Sequence, residues 1–178
     1  MRVYILLTDT GSVLTKAIKL YTRKPYNHVS ISFHKELDVT YSFGRLRPRN
    51  PFIGGFVQEQ LDNGVFKNAR CAVYSCQISE KQYEKMMERI KEMESQKELY
   101  HFNLIGMLGI AAKLEIKRDK AFFCSQFVAT VLQDGEVELD SKPIYWITPY
   151  DISKCPQLRL EYQGYLRNYR QLNESNYA

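Results

Sequence analysis

The sequence predicts an α+β protein, because segments with the two-residue period of strands occur beside segments with the period of a helix. Residues 27–33, NHVSISF, alternate strictly between large apolar and small or polar side chains, which is typical of a half-buried strand. Residues 79–99 carry an apolar stripe with helical spacing, and Ser79 with Gln82 fits a capping box. A second amphipathic helix is predicted within residues 121–133, AFFCSQFVATVLQ.

The other segments predict further strands, helices and turns. A short apolar run predicts a buried strand at residues 3–7. Residues 45–51, RLRPRNP, predict an irregular loop, and the adjacent glycines at 54–55 predict a bend or a close backbone approach. Further predictions are a helix at 13–21, a strand at 39–43 ended by Gly44, a hairpin at 57–66, a strand at 69–78, a buried helix at 103–113, a short strand or loop at 144–147, a helix starting at Thr148 and a last strand at 158–165.

Length and charge favour a single domain. The chain has 178 residues, which is enough for a sizeable core, and we assign residues 1–170 to one domain and residues 171–178 to a polar tail. The net charge of +5 is spread along the chain without a nucleic-acid-binding motif, so nucleic acid is not an expected partner. No segment reaches the length of a transmembrane helix or a signal peptide, so we expect a cytoplasmic protein. The sequence leaves the oligomeric state open.

The four cysteines favour neither a metal site nor a redox motif. Cys71, Cys76, Cys124 and Cys155 contain no CxxC pair and have no histidine at metal-ligand spacing. We therefore predict no metal and no cofactor, and we expect reduced thiols. Free cysteines are usually packing residues, which is the role predicted for Cys71 and Cys76.

Cys124 is the candidate nucleophile. It lies in the first turn of the helix predicted within residues 121–133, and its spacing from Phe127, Val128 and Val131 turns it toward the interior. The N–H groups at a helix start favour the thiolate, which is the nucleophilic form. Because packing is the commoner role for such a cysteine, the assignment depends on finding a base elsewhere in the chain.

The chain offers three histidines as a general base: His28, His34 and His101. His34 falls in a predicted hairpin connection, and His101 directly precedes a predicted apolar helix. His28 begins a strand whose following residues on the same face are small serines, so a helix carrying Cys124 could lie across that face. His28 is therefore the predicted base, and the alternative is a structural or solvent-facing histidine.

A third group that orients the imidazole is expected from the neighbouring strand at residues 39–43. The residue facing His28 depends on the register: one alignment offers Tyr41, and the other offers Ser42 or, less favourably, Thr40. A hydroxyl can hold the imidazole tautomer but carries no full negative charge. This interpretation predicts a base that is oriented without strong stabilisation of its imidazolium form.

Several short motifs carry a resemblance to a known family. NHVSISF at 27–33, followed by FFCSQFVATVL at 122–132, resembles the circularly permuted branch of the NlpC-type, papain-like cysteine hydrolases, in which the histidine strand precedes the cysteine helix. TPYDI at 148–152 is similar to the segment after the cysteine helix in that group. YSFGR at 41–45 resembles one largely uncharacterised bacterial subgroup.

The resemblance implies a permuted papain-like fold, that is, an antiparallel sheet packed by helices. It implies Cys124 as nucleophile, His28 as general base and Tyr41 at the third position, where relatives often carry Glu or another His. Relatives act on amides of peptidoglycan-type peptides, on lipid esters or as acyltransferases. The implied partner is therefore a small peptide, amide or lipid-like substrate.

We accordingly predict a cysteine hydrolase, either an amidase or a peptidase, that forms an acyl-enzyme at Cys124. Arg45, Ser42 and Ser125 are the predicted substrate-binding residues. The arginines of residues 45–51 fit either an anion clamp or a solvated loop. The alternatives are a lipid acyltransferase or thioesterase using the same site, a non-catalytic module that binds an anion or acyl chain, and a structural partner protein without an enclosed pocket.

Overall fold

A six-stranded antiparallel sheet forms the centre of the fold. The structure is a computed structural model, which describes residues 1–11, 24–47, 50–102, 121–139 and 142–174. The strands are β1 (Arg2–Asp9), β2 (His28–Ser32), β3 (Thr40–Arg47), β4 (Asn50–Gln58), β5 (Arg70–Gln77), β6 (His101–Phe102), β7 (Ala121–Phe122) and β8 (Arg159–Tyr165). The sheet has the order β4-β3-β2-β1-β5-β8, and β6 and β7 form a separate parallel pair.

Four α-helices surround this sheet in the described part of the chain, so the predicted α+β class is confirmed. They are α1 (Glu80–Ser95), α2 (Cys124–Asp134), α3 (Pro149–Ile152) and α4 (Leu166–Glu174). Single 3-10 turns occur at Gly64–Phe66, Lys97–Leu99 and Ile144–Trp146.

Helix starts follow the predicted capping chemistry. The Ser79 hydroxyl accepts from the Gln82 N–H at 3.2 Å, and the Gln82 side chain accepts from the Ser79 N–H at 2.9 Å. Thr148 caps α3 in the same way, by accepting from the Asp151 N–H. Both caps satisfy N–H groups that have no partner inside the helix. The first helix is shorter than the predicted 79–99, because it ends at Ser95.

One face of the sheet packs against α2. Val29, Ile31 and Phe43 point to this face and share a buried core with Phe127 and Val131 of the helix. All five side chains are fully buried. Burying five such apolar side chains is the main force that fixes α2 against β2 and β3.

The opposite face packs against α4. Tyr4 and Leu6 of β1 and Leu61 form a second buried core with Leu166 and Tyr169 of this helix. Tyr169 also donates its hydroxyl to the carbonyl of Lys35 at 2.8 Å. Residues 171–174 were predicted to belong to a polar tail. They instead form the last turn of α4, whose buried side chains pack against the sheet.

Two predicted boundaries are wrong at the β3–β4 hairpin. Gly44 does not end the strand, because β3 continues to Arg47, and Gly44 lies opposite Gly55 in the ladder. The loop predicted at 45–51 is strand wherever the structure describes it. The close backbone approach predicted at 54–55 is confirmed, since a Cβ at Gly55 would lie 2.8 Å from the carbonyl oxygen of Tyr100.

The hairpin predicted at 57–66 is also wrong. After β4 the chain forms the 3-10 turn Gly64–Phe66, and Gly64 has φ +58°, which is a conformation that glycine accommodates. The next strand, β5, pairs with β1 and β8 instead of β4. Residues 144–147, predicted as a strand or loop, contain a 3-10 turn.

The remaining strand predictions, at 3–7, 27–33, 39–43, 69–78 and 158–165, coincide with β1, β2, β3, β5 and β8. The helices predicted at 13–21 and 103–113 lie outside the described residues. Within the described residues, no helix has both the length and the apolar character needed to cross a membrane.

Candidate active site

His28 is the first residue of β2 and lies at the end of the central sheet. Its neighbour across the ladder is Thr8 of β1. The side chain is mostly buried, with 15% of its surface exposed, and its ring lies 6.1 Å from the ring of Phe66. The start of the strand thus places the imidazole in a mostly buried position.

Cys124 is the first residue of α2, and its side chain lies close enough to the His28 imidazole to help raise the pKa of that ring. The residue is buried, with 9% of its surface exposed. His28 and Cys124 are 96 positions apart in the chain, and the packing of α2 against β2 brings them together. The structure brings together the predicted nucleophile and the predicted base.

The start of α2 differs from the starts of α1 and α3. Its N-cap position is Phe123, whose side chain has no acceptor and makes no capping bond. The Gln126 side chain accepts from the Phe123 N–H at 2.9 Å, which fixes the backbone just before Cys124. No capping side chain therefore competes for the N–H groups of the first turn, which carry the positive end of the helix dipole.

Glu59 is the third member of this group. Its Oε1 lies 2.6 Å from Nε2 of His28, and its side chain is 4% exposed. Because an imidazole has two nitrogens, the pairing of Nε2 with Glu59 leaves Nδ1 for Cys124. His28 thus lies between a carboxylate and a thiol.

Two serine hydroxyls bind the same carboxylate. Ser42 donates to Oε1 of Glu59 at 2.6 Å, and Ser30 donates to Oε2 at 2.6 Å. Both serines are fully buried. Gly44 borders the group, since a Cβ there would lie 3.7 Å from Oε1 of Glu59. The carboxylate can therefore extend across β3 to His28, because the nearby residues of β3, Ser42 and Gly44, have a small side chain or none.

The electrostatics of the group favour an ionised pair. Burial alone would lower the pKa of the His28 imidazole, but the Glu59 carboxylate and Cys124 outweigh burial and hold that pKa well above its ordinary value. Burial would raise the pKa of Glu59, but His28 and the hydrogen bonds from Ser30 and Ser42 lower it. An imidazolium beside a carboxylate is the state that these interactions stabilise.

The third position is where the prediction from sequence was wrong. Tyr41 lies opposite Ile31, on the apolar face of β3, and its ring stacks on Phe56 at 5.8 Å. Ser42 donates to Glu59 instead of the imidazole. The expectation of a weakly stabilised imidazolium is corrected for the same reason, because the third group carries a full negative charge.

The expected approach of the helix is also corrected. The body of α2 packs on the apolar face of β2, and the serine face is occupied by the Glu59 carboxylate. Cys124 still reaches His28, because the first turn of the helix and the first residue of the strand meet at the same end of the sheet.

The predicted substrate-binding residues are placed as follows. Ser125 is buried at 5% exposure in the first turn of α2, next to Cys124. Arg45 belongs to β3 and lies opposite Gly54. Substrate binding by Ser125, Ser42 and Arg45 stays a prediction.

One sequence signal could have identified Glu59. The alternation of β2 and β3 places Ser30 and Ser42 inside the protein, and buried hydroxyls need hydrogen-bond partners. An acidic residue directly after the next strand is the natural acceptor for two such donors. The misassigned hairpin at 57–66 hid this possibility.

Among the described residues, no group of three or more His, Cys, Asp or Glu side chains could hold a metal ion. No family model matches the chain, and no curated protein matches it.

Proposed function

We propose that the protein is a cysteine hydrolase that cleaves an amide or ester bond through an acyl-enzyme on Cys124. The observation that carries the proposal is the placement of His28 between Glu59, at 2.6 Å, and the Cys124 side chain. A thiol, an imidazole and a carboxylate in this order are the groups needed for nucleophilic acyl transfer.

The chemistry begins with transfer of the Cys124 proton to Nδ1 of His28, which Glu59 favours by stabilising the imidazolium. The thiolate attacks the substrate carbonyl and forms the C–S bond. The imidazolium then protonates the leaving amine or alcohol as the bond to it breaks. A water molecule, deprotonated by His28, finally attacks the thioester, and the thiol is regenerated as the acid leaves.

The start of α2 is suited to stabilise the oxyanion formed in each attack. The Cys124 N–H lies at the helix start, where no capping side chain competes for it. A backbone N–H aimed at the developing charge contributes more to the transition state than to the ground state. The packing of α2 against β2 and β3 keeps this donor in place.

We further propose that the fold is a circularly permuted papain-like fold of the NlpC type. Three features support it: the antiparallel sheet, the helix packed across it, and a histidine strand that precedes the cysteine helix. We also propose a cytoplasmic location and a small peptide, amide or lipid-like substrate. The four free cysteines support a reducing compartment.

The same acyl-enzyme would also support two related reactions. In acyl transfer, an alcohol or amine replaces water as the acceptor of the acyl group. In thioester cleavage, a thioester replaces the amide as the substrate. A non-catalytic binding module is the second candidate function. It is favoured by one observation, the low exposure of Cys124, at 9%. A sulfur that stays covered could pack against a bound ligand without reacting with it.

Thiol alkylation separates the two functions. Native protein is treated with iodoacetamide at neutral pH, and the labelled cysteines are identified by peptide mass spectrometry. A hydrolase should label Cys124 first, and the wild type should release nitrophenol from p-nitrophenyl acetate with a burst that Cys124→Ala abolishes.

The other cysteines are internal controls. Cys71 is fully buried, and burial raises its pKa to about 12, so it should stay unlabelled until the protein unfolds. Burial also raises the pKa of Cys76. If Cys124 is labelled no faster than these two, and no burst is seen, the binding module is preferred.

A further inference from the structure

We propose that Ser30 and Ser42 are positioning residues, which hold the Glu59 carboxylate ionised and oriented toward His28. The inference rests on the function proposed above, since the orientation of Glu59 matters to catalysis only if His28 serves Cys124. Both hydroxyls donate to Glu59 and not to His28 or Cys124, so this effect reaches Cys124 through Glu59 and His28.

The geometry leaves the carboxylate little freedom. Oε2 accepts from Ser30 at 2.6 Å, and Oε1 accepts from Ser42 at 2.6 Å while lying 2.6 Å from Nε2 of His28. Rotating the carboxylate away from His28 would break hydrogen bonds to both oxygens. Hydrogen bonds to an ionised acceptor are stronger than neutral ones, so each serine resists this rotation.

Packing alone would not favour serine at these positions. Ser30 lies opposite Leu6 of β1, on the face that carries the second apolar core, and it is fully buried. An apolar residue at such a site would gain free energy from burial, while a hydroxyl must find a partner. Both hydroxyls find that partner in the Glu59 carboxylate, which also contacts His28.

Ser32 provides a matched comparison on the same strand and the same face. It is also fully buried, but its hydroxyl donates to the carbonyl of Val39 at 2.7 Å and helps to hold the turn between β2 and β3. Its hydrogen bonds are made with Val39 and His34 and not with Glu59. Removing its hydroxyl should therefore affect folding stability without changing the state of the carboxylate.

The ionisable groups that act on this site come from three parts of the chain: His28 from β2, Cys124 from α2 and Glu59 from the position directly after β4. His28 acts on Glu59, and both Glu59 and Cys124 act on His28. The serine hydroxyls and the imidazole hold the pKa of Glu59 below its ordinary value against the effect of burial. Loss of a hydroxyl should raise that pKa, so the carboxylate should become protonated at higher pH.

The test compares Ser30→Ala and Ser42→Ala with Ser32→Ala. Carboxyl carbon NMR in a Cys124→Ala background follows the titration of Glu59, whose signal is assigned by its loss in Glu59→Gln. The first two variants should shift this titration to higher pH, and Ser32→Ala should not. Ser42→Thr, which restores a hydroxyl, should return it toward the wild-type position.

Alkylation of Cys124 gives the functional readout. At the midpoint of the acid limb of the wild-type pH profile, each of the two alanine variants should react at least about tenfold more slowly, as expected for the loss of one hydrogen bond to a charged group. Ser32→Ala should match the wild type there, even where it lowers the melting temperature.

An unchanged Glu59 titration in both alanine variants would overturn the proposal. If an alanine variant fails to fold, Ser42→Cys, which keeps the shape with a weaker donor, is tested by the same NMR titration and should shift it in the same direction. Unreactive Cys124 in the wild type would instead contradict the proposed function, and the NMR titration would still decide the role of the serines.

Discussion

Two histidine–carboxylate pairs with almost the same separation occur in the described part of the chain. Nε2 of His28 lies 2.6 Å from Glu59, and Nδ1 of His34 lies 2.7 Å from Asp38. The side chains of the first pair are 15% and 4% exposed, and those of the second are 50% and 56% exposed. The two pairs therefore differ in their surroundings far more than in their geometry.

This difference shows why distance alone does not define a functional site. Water weakens the attraction between exposed charges, so surface pairs contribute about 0–1 kcal/mol. A buried pair interacts in a medium of lower dielectric constant, and each charge depends on its partner for solvation. Only the buried pair also contacts a cysteine, so only there can the charge on an imidazole control a nucleophile.

The largest expected effect is on stability. Glu59→Gln should lower the free energy of unfolding by about 3–5 kcal/mol, because it leaves a buried imidazolium without its counter-charge. Asp38→Asn, at the exposed pair, should change it by less than about 0.5 kcal/mol. Urea unfolding measures both. Equal losses in the two variants would remove the distinction between the pairs.

The next largest effect is on thiol reactivity. His28→Asn should slow the alkylation of Cys124 at neutral pH by about 100-fold, which is the lower range for loss of a positioned general base. His34→Asn should leave the rate unchanged, because its imidazole is held in an exposed turn. Rates are measured with iodoacetamide under pseudo-first-order conditions. A similar rate in both variants would mean that His28 does not activate the thiol.

The pH dependence of stability should separate the pairs further. Because the pKa of His28 is raised in the folded protein, its contribution to the free energy of unfolding is fully present below pH 6.5, the pKa in the unfolded chain. This contribution is lost as the pH rises through the pKa of the folded protein. Because the pKa of Glu59 is lowered in the folded protein, its contribution to the free energy of unfolding is fully present above pH 4.5, the pKa in the unfolded chain. This contribution is lost as the pH falls through the pKa of the folded protein.

The difference in unfolding free energy between the wild type and Glu59→Gln should therefore be largest between pH 4.5 and 6.5. Urea unfolding at half-unit pH intervals measures this difference. The corresponding difference for Asp38→Asn should stay small throughout. A maximum above pH 9 or below pH 4 for Glu59→Gln would contradict the assigned directions of the pKa shifts.

The smallest expected effect is that of salt. Raising NaCl from about 0.05 M to 1 M shortens the screening length to about 3 Å, so any contribution from His34 and Asp38 should disappear. The effect of Glu59→Gln should persist, because ions do not enter the buried pair. Urea unfolding of both variants at the two salt concentrations provides the measurement.

Local sequence patterns identified much of the fold. The alternation in β2 and the capping box of α1 predicted those elements, because both depend on neighbouring residues only. The boundaries near Gly44 were missed, because pairing with β4 extends a strand that local propensity would end. The hairpin predicted at 57–66 does not form, because β5 pairs with β1 and β8 instead of β4.

The candidate site divides in the same way. Cys124 and His28 were selected from the sequence, since a helix start and a strand start are local features with recognisable chemistry. Glu59 was missed, and Tyr41 was chosen in its place, because the choice depends on strand register and on which side chain can cross β3. A one-residue change of register moves every side chain to the other face.

The sequence by itself determined the types of element, the inward-facing cysteine and the histidine at the start of a strand, because these follow from periodicity and short-range capping. Only the tertiary structure decided that the carboxylate of Glu59, directly after β4, completes the group with His28 and Cys124. That carboxylate is selected by long-range pairing of strands and by burial, which no local pattern of residues records.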